Sequence, residues 1–133
     1  MKKRVLSILL ALAMTAALVG SAFAAARWDN TDSVITGLTF NGSIAACSVD
    51  IFGKNGTSKI VATVELQVKD SSGNYVRSVG WSTQTVYTTD YSFFNRAFNC
   101  PAGEYKLVVN ATVYNADGIG EPVYGEKTAT CYG

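Results

Sequence analysis

The segment KIVATVELQVK, residues 59–69, decides the fold class of this chain. Apolar and polar side chains alternate along it, with Ile60, Ala62, Val64, Leu66 and Val68 on one side and Thr63, Glu65, Gln67 and Lys69 on the other. Successive side chains of a β-strand point to opposite faces, so this alternation predicts a strand with one buried face. Residues 105–113, YKLVVNATV, repeat the pattern, with Tyr105, Leu107, Val109, Ala111 and Val113 on the apolar side.

Most of the remaining chain after residue 33 predicts further strands. β-like runs cover residues 34–40, 44–52, 75–85, 91–99 and 123–132. Turn-forming residues separate them, such as Asn41-Gly42 and the stretch from Asp70 to Asn74. About seven strands at regular spacing, with no helical pattern, predict an all-β fold, an antiparallel β-sandwich that is immunoglobulin-like. Two details stay open. Arg77 and the apolar Val79 are two residues apart and would face the same side of a regular strand, and the adjacent Phe93 and Phe94 cannot both face inward.

The start of the chain predicts a signal peptide. A short positive stretch, Met1 to Arg4, precedes the apolar residues 5–19, and Ala22 and Ala24 form an A-x-A cleavage site. The apolar run is shorter than the roughly 20 residues that span a bilayer. We therefore expect residues 1–24 to be cleaved from a secreted, extracellular domain of residues 25–133. Cleavage after Ala26 is the alternative, and the motif is bacterial in style.

Charge excludes some partners for the mature domain. The chain has 11 basic and 10 acidic residues, and three of the basic ones leave with the signal peptide. The resulting domain is slightly acidic, whereas nucleic-acid binding requires a basic patch. We expect no nucleic-acid partner, and no membrane association after signal cleavage.

The cysteines predict a disulfide. Cys47, Cys100 and Cys131 all lie in the mature part, and export permits disulfide formation. Three is an odd number, so one thiol is left over. We favour a Cys47–Cys131 bridge, which would pin the last strand, with Cys47–Cys100 as the alternative.

The sequence offers little catalytic chemistry. It has no histidine, which removes Ser-His-Asp and Cys-His machinery. The mature carboxylates are scattered over turns and polar strand faces, and no C-x-x-C pair suggests a metal. We therefore expect no enzyme activity, no metal and no cofactor.

Aromatic side chains are the most suggestive feature for function. The binding candidates are Trp81, Tyr114, Tyr124 and Tyr132. The three tyrosines either alternate out of step with the inward-facing apolar residues, which places them on the outer face, or lie near the chain end. Exposed aromatic rings mark binding surfaces. We expect a non-enzymatic binding or adhesion module for a glycan, a cell-wall polymer or a protein ligand. The alternative is a secreted inhibitor or bacteriocin-like factor that acts on a protein partner.

The segment PAGEYKL, residues 101–107, resembles the tyrosine corner of immunoglobulin-like and fibronectin-like sandwiches. That resemblance implies that the Tyr105 hydroxyl binds upstream backbone. A true immunoglobulin domain differs, because it would have cysteine at Leu107 and tryptophan on the strand that holds Val64.

The whole chain also resembles a family of small secreted proteins of Gram-positive anaerobic bacteria, a domain of unknown function. The matching features are the MKKRVL start, Trp28-x-Asn30-Thr31, Cys47, the segment from Gly53 to Gln67, Val109-x-Ala111-Thr112-Val113-Tyr114 and Cys131. The resemblance implies a Cys47–Cys131 disulfide and no particular substrate. Cys100 is the point at which this chain departs from the family pattern.

Overall fold

A computed structural model describes residues 28–133, so the predicted signal peptide lies outside the described residues. The described chain forms eight β-strands: β1 (Thr31–Asn41), β2 (Ile44–Gly53), β3 (Lys59–Lys69), β4 (Tyr75–Gly80), β5 (Gln84–Val86), β6 (Asp90–Ala97), β7 (Gly103–Tyr114) and β8 (Gly120–Cys131). The predicted all-β class is confirmed. Across residues 28–133 there is no helix that is long and apolar enough to cross a membrane.

The strands form two antiparallel sheets. One has three strands in the order β1-β2-β6; the other has five, in the order β4-β3-β7-β8 with β5 also paired to β3. Chain order explains much of this, because tight turns place consecutive strands side by side. Gly42, for example, has a φ of 59° in the turn that joins β1 to β2, a value that glycine adopts without steric cost.

The core lies between the two sheets and consists of the predicted inward rows. β2 contributes Ala45, Cys47, Val49 and Ile51, each fully buried. β3 and β7 contribute the opposing rows, in which Leu66 pairs with Leu107 and Val64 with Val109. Burial of these rows from both sheets fixes the register, because a slip of one residue would turn each row towards solvent.

The segment predicted as one strand, residues 75–85, is two strands. β4 pairs with one end of β3 and β5 with the other, and Trp81 lies between them. A register shift in β4 pairs Val79 with Leu66 but Arg77 with Gln67. Arg77 and Val79 therefore face opposite ways, and their shared parity in the sequence was misleading. A β-bulge adds one residue and reverses the facing beyond it.

The structure also resolves the facing of Phe93 and Phe94. Phe93 packs edge-on against Trp81, with ring centres 5.1 Å apart. Phe94 lies on the outer face of β6, where 59% of it is exposed. Trp81 and Phe93 thus join the two sheets on the side of the sandwich where β4, β5 and β6 lie.

Candidate ligand-binding face

The outer face of the five-stranded sheet is the surface on which two of the predicted binding residues meet. We call it the tyrosine face; it consists of Lys59, Thr63, Glu65, Gln67, Lys69, Tyr75, Arg77, Lys106, Val108, Asn110, Thr112, Tyr114, Tyr124, Glu126 and Thr128. Strand pairing sets its layout: Asn110 lies opposite both Thr63 and Tyr124, and Val108 lies opposite both Glu65 and Glu126. Alternation along β7 and β8 places these side chains on the side away from the core.

Tyr124 is the most exposed aromatic side chain of the tyrosine face, at 46%. Its hydroxyl donates a 2.8 Å hydrogen bond to Glu126 Oε2. Partial burial, followed by the hydrogen bond and charge of Glu126, raises the pKa of Tyr124 to about 12. The hydroxyl therefore stays protonated at neutral pH and holds the ring at the surface.

Most charged side chains of this face form three ion pairs, one of them with Glu104 beside it, and Lys59 lies over the Tyr114 ring instead. Lys69 Nζ lies 2.9 Å from Glu104, Lys106 Nζ lies 3.5 Å from Glu126, and Arg77 lies 3.7 Å from Glu65. All three pairs are at least partly exposed, and such pairs contribute little to stability. Their effect is to balance the two signs of charge across the face.

Tyr75 forms a second aromatic position, at the β4 edge. Lys106 Nζ lies 4.2 Å from its ring centre, and Lys69 Nζ lies 5.7 Å from it. A small open pocket of about 260 Å³ lies beside the ring and is lined by Tyr75, Glu104, Thr128, Ala129 and Thr130. The alternation of the sequence does not identify Tyr75 as an outward residue, because the bulge in β4 interrupts the regular alternation of that strand.

The four predicted binding residues fall into three environments. Tyr114 and Tyr124 share the tyrosine face, and Lys59 Nζ lies 4.6 Å from the Tyr114 ring centre. Trp81 is half-buried and packs against the core. Tyr132 follows the end of β8 and is 90% exposed. The structure thus places Tyr114 and Tyr124 on one sheet face, though not in contact, because Tyr124 lies opposite Asn110 rather than Tyr114. Trp81 and Tyr132 lie apart from them.

The outer face of the three-stranded sheet is a second surface, which sequence reasoning missed. We call it the phenylalanine face; it consists of Ile35, Ser48, Asp50, Phe52, Ser92, Phe94 and Arg96. Ile35 and Phe94 are more than half exposed, and Phe52 is 38% exposed. The Arg96 guanidinium lies 5.1 Å from the Phe94 ring centre. The sequence contains an indication of this face: Phe52 is two residues after Asp50 and four after Ser48, so all three face outward.

The predicted Cys47–Cys131 disulfide is wrong for this structure, in which all three cysteines are free and buried. The physical reason is the position of Cys100, which neighbours both of the others. Burial and then the adjacent Cys100 raise the pKa of Cys47 to about 12. The Cys131 thiol contacts the carbonyl oxygen of Cys100 at 3.5 Å. The loop between β6 and β7 therefore places Cys100 close to both of the other cysteines.

The carboxylates and cysteines of residues 28–133 do not form a metal site, since no three of them gather into a group that could hold an ion. Most carboxylates have a structural partner instead. Glu121, for example, accepts hydrogen bonds of 2.7 and 2.8 Å from the backbone N–H groups of Asp29 and Asn30. This carboxylate ties the start of the domain to β8.

Two packed antiparallel sheets with broad exposed faces define the class, a small all-β sandwich domain. No protein-family model matches the chain, and no curated protein matches it. Among solved structures, it is similar to a Bordetella pertussis protein assigned as ApaA (16% identity, 75% of this chain and 91% of that chain, TM-score 0.45). It is also similar to Spo0M, a sporulation control protein from Bacillus subtilis (14% identity, 74% and 49%, TM-score 0.34). These likenesses are distant, and the fold assignment rests on the strands of this chain.

Proposed function

We propose that this protein is a non-enzymatic binding module that recognises a glycan or cell-surface polymer through its tyrosine face. One observation carries the proposal: Tyr114 and Tyr124 lie on the same outer sheet face, where Tyr124 is opposite Asn110 and Thr112 separates Asn110 from Tyr114 along β7. A broad sheet face suits an extended polymer better than a small molecule, which favours a concave pocket.

The chemistry of the tyrosine face supports this ligand class. A tyrosine ring offers an apolar surface, and its hydroxyl and the neighbouring amide and hydroxyl groups offer hydrogen bonds. A sugar ring has the same division between C–H surfaces and hydroxyl groups. The ion pairs around Tyr124 leave no large field of one sign, so the face favours a neutral polymer over a strongly charged one.

Co-sedimentation with insoluble polysaccharides tests the proposal. Purified protein is mixed separately with cellulose, chitin, peptidoglycan and whole bacterial cells, and the pelleted fraction is measured against protein concentration. We expect saturable pelleting with one polymer, weakened about fivefold or more by Tyr124→Ala, since one stacked ring contributes on the order of 1 kcal/mol or more.

Phe94 supplies the matched control. It is 59% exposed and lies in β6, on the outer face of the other sheet. Phe94→Ala should leave pelleting unchanged, whereas Tyr114→Ala should weaken it. Equal losses for Phe94→Ala and Tyr124→Ala, or no pelleting with any polymer, would contradict the proposal.

A second function is favoured by the phenylalanine face. Three large apolar side chains exposed on one sheet face are typical of a protein-binding surface. In this alternative the protein is a secreted inhibitor or bacteriocin-like factor that acts on a protein partner. A partner captured by the wild type and by Tyr124→Ala, but lost with Phe94→Ser, would support it. Capture that survives Phe94→Ser would contradict it.

Export and family membership are part of the same proposal. The A-x-A motif at residues 22–24 supports a secreted, bacterial protein that loses residues 1–24. The motifs that this chain shares with small secreted proteins of Gram-positive anaerobes support membership of that family. Expression of the full chain in a bacterial host, followed by intact-mass measurement of the culture supernatant, tests export. A mass that begins at Ala25 is expected; protein that remains in the cells with Met1 intact would contradict export.

A further inference from the structure

Three buried thiols and one phenol gather at one end of the sandwich. Cys100 lies in the loop between β6 and β7, where its N–H donates to the Ser43 carbonyl at 2.9 Å. The Cys131 thiol contacts the carbonyl oxygens of Cys100 and Gly42, at 3.5 and 3.4 Å. Tyr105 is fully buried beside them. Cys100 also lies close enough to Cys47 to raise the pKa of the Cys47 thiol, so it neighbours both of the other cysteines.

Cys131 is the better placed of the two partners for Cys100. It is the last residue of β8, where its backbone pairs only with Gly103, and the next residue is almost fully exposed. A terminal strand residue of this kind can shift to meet the geometry of a disulfide, which tolerates little deviation.

Cys47 is held in the middle of a strand. It pairs with Leu38 on one side and Asn95 on the other, and it is fully buried. Movement of Cys47 would disturb both neighbouring strands. Burial, followed by the neighbouring Cys100, also raises the pKa of its thiol to about 12. Since the thiolate is the reactive form in disulfide exchange, this burial and the fixed backbone together keep Cys47 reduced.

We propose that Cys100 and Cys131 form a thiol–disulfide exchange site, which an external low-molecular-weight disulfide converts to a Cys100–Cys131 bridge while Cys47 stays reduced. Cys100, the most exposed of the three at 5%, attacks one sulfur of the external disulfide and releases its first thiol. Cys131 then loses its proton and attacks the sulfur of Cys100, which releases the second thiol. Two protein thiols and one external disulfide thus become one protein disulfide and two external thiols. This site is independent of the proposed ligand-binding function.

Tryptic peptide mapping tests the pairing directly, because the three cysteines fall in separate peptides. Cleavage at the lysines and arginines of the sequence places Cys47 in residues 28–54, Cys100 in 97–106 and Cys131 in 128–133. Purified protein is incubated with oxidised glutathione, unfolded, alkylated and digested. We expect a linked species of 97–106 with 128–133, and an alkylated peptide 28–54. A link that involves 28–54, or three alkylated peptides, would overturn the proposal.

Single variants provide the controls. Cys47→Ala should still form the linked species, and Cys131→Ser should not. Because Cys47→Ala removes a buried sulfur, the wild-type map decides the pairing if this variant does not fold. Treatment of the oxidised wild type with dithiothreitol should return all three peptides to the alkylated form. Formation of a bridge in Cys131→Ser by Cys47 and Cys100 to the wild-type extent would show that the site has no preference, contrary to the proposal.

Discussion

The Tyr105 hydroxyl donates a 2.7 Å hydrogen bond to the carbonyl oxygen of Pro101, four residues earlier in the chain. This bond closes the turn between the Cys100 loop and β7, as the resemblance to a tyrosine corner predicted. The Tyr105 ring also packs on Phe40 of β1, with ring centres 5.1 Å apart. One side chain therefore joins the β6–β7 loop to both sheets.

Loss of this hydroxyl should destabilise the fold. Tyr105→Phe keeps the ring and leaves the Pro101 carbonyl without its partner, which should lower the free energy of unfolding by about 1–3 kcal/mol. Urea denaturation measures the change. Tyr124→Phe is the matched control, because its hydroxyl binds an exposed carboxylate, and we expect about 0.5 kcal/mol or less there. Equal losses in the two variants would show that the corner has no special role.

The Glu121 carboxylate should be a structural clamp. It accepts the backbone N–H groups of Asp29 and Asn30, and Asn30 in turn donates to the carbonyls of Val113 and Ile119. Glu121→Ala leaves two donors without their partner and should cost about 1–2 kcal/mol in thermal or urea unfolding. Glu104→Ala removes an exposed ion pair with Lys69 and should cost about 0–1 kcal/mol. A smaller effect at Glu121 than at Glu104 would contradict the clamp.

Gly125 should be intolerant of a side chain. It lies in β8 where this strand packs against β1 of the other sheet. A Cβ there would lie 2.6 Å from Thr36 Oγ1 and 2.7 Å from Val34 Cγ1. Gly125→Ala must push the sheets apart and should cost about 1–3 kcal/mol. Gly103→Ala is the control, since its Cβ would meet Val68 at 3.7 Å, an ordinary contact. Unfolding by urea compares the two, and a neutral Gly125→Ala would argue against close packing of β1 on β8.

Alkaline pH should remove a stabilising contribution from Tyr124. Burial, followed by Glu126, raises its pKa to about 12, above the value of roughly 10 for an unfolded tyrosine. The folded state therefore favours the protonated form, so the contribution is fully present below about pH 10 and is lost as the pH rises towards about 12.

Tyrosinate absorbance measures this ionisation, as the difference between wild type and Tyr124→Phe. Glu126→Gln removes the second and third causes of the shift and should lower the pKa of Tyr124 towards its ordinary value. Glu104→Gln should leave it unchanged. A Tyr124 that ionises near pH 10 in the wild type would contradict the contact with Glu126.

The two surfaces differ in how much of them the sequence revealed. Tyr114 and Tyr124 were identified by parity alone, because β7 and β8 are regular over their whole length. Tyr75 was not, because the bulge between Arg77 and Val79 reverses the facing in β4. The sequence predicts Trp81 as a ligand-binding ring at the surface, but it lies in the gap between β4 and β5 and turns inward to Phe93.

The sequence by itself determined the regular strands, their turns and their buried rows, since a period of two is a local property that burial of one face imposes. The exception is residues 75–85, where a bulge and a break divide one predicted strand into β4 and β5. It also determined the Tyr105 corner, whose partners are four residues apart. Only the tertiary structure decided which strands share a sheet, how the sheets stack and where the cysteines lie. Cys100 illustrates the reason: its neighbours are set by a loop that crosses between the sheets, and loop placement depends on packing across the core rather than on local sequence.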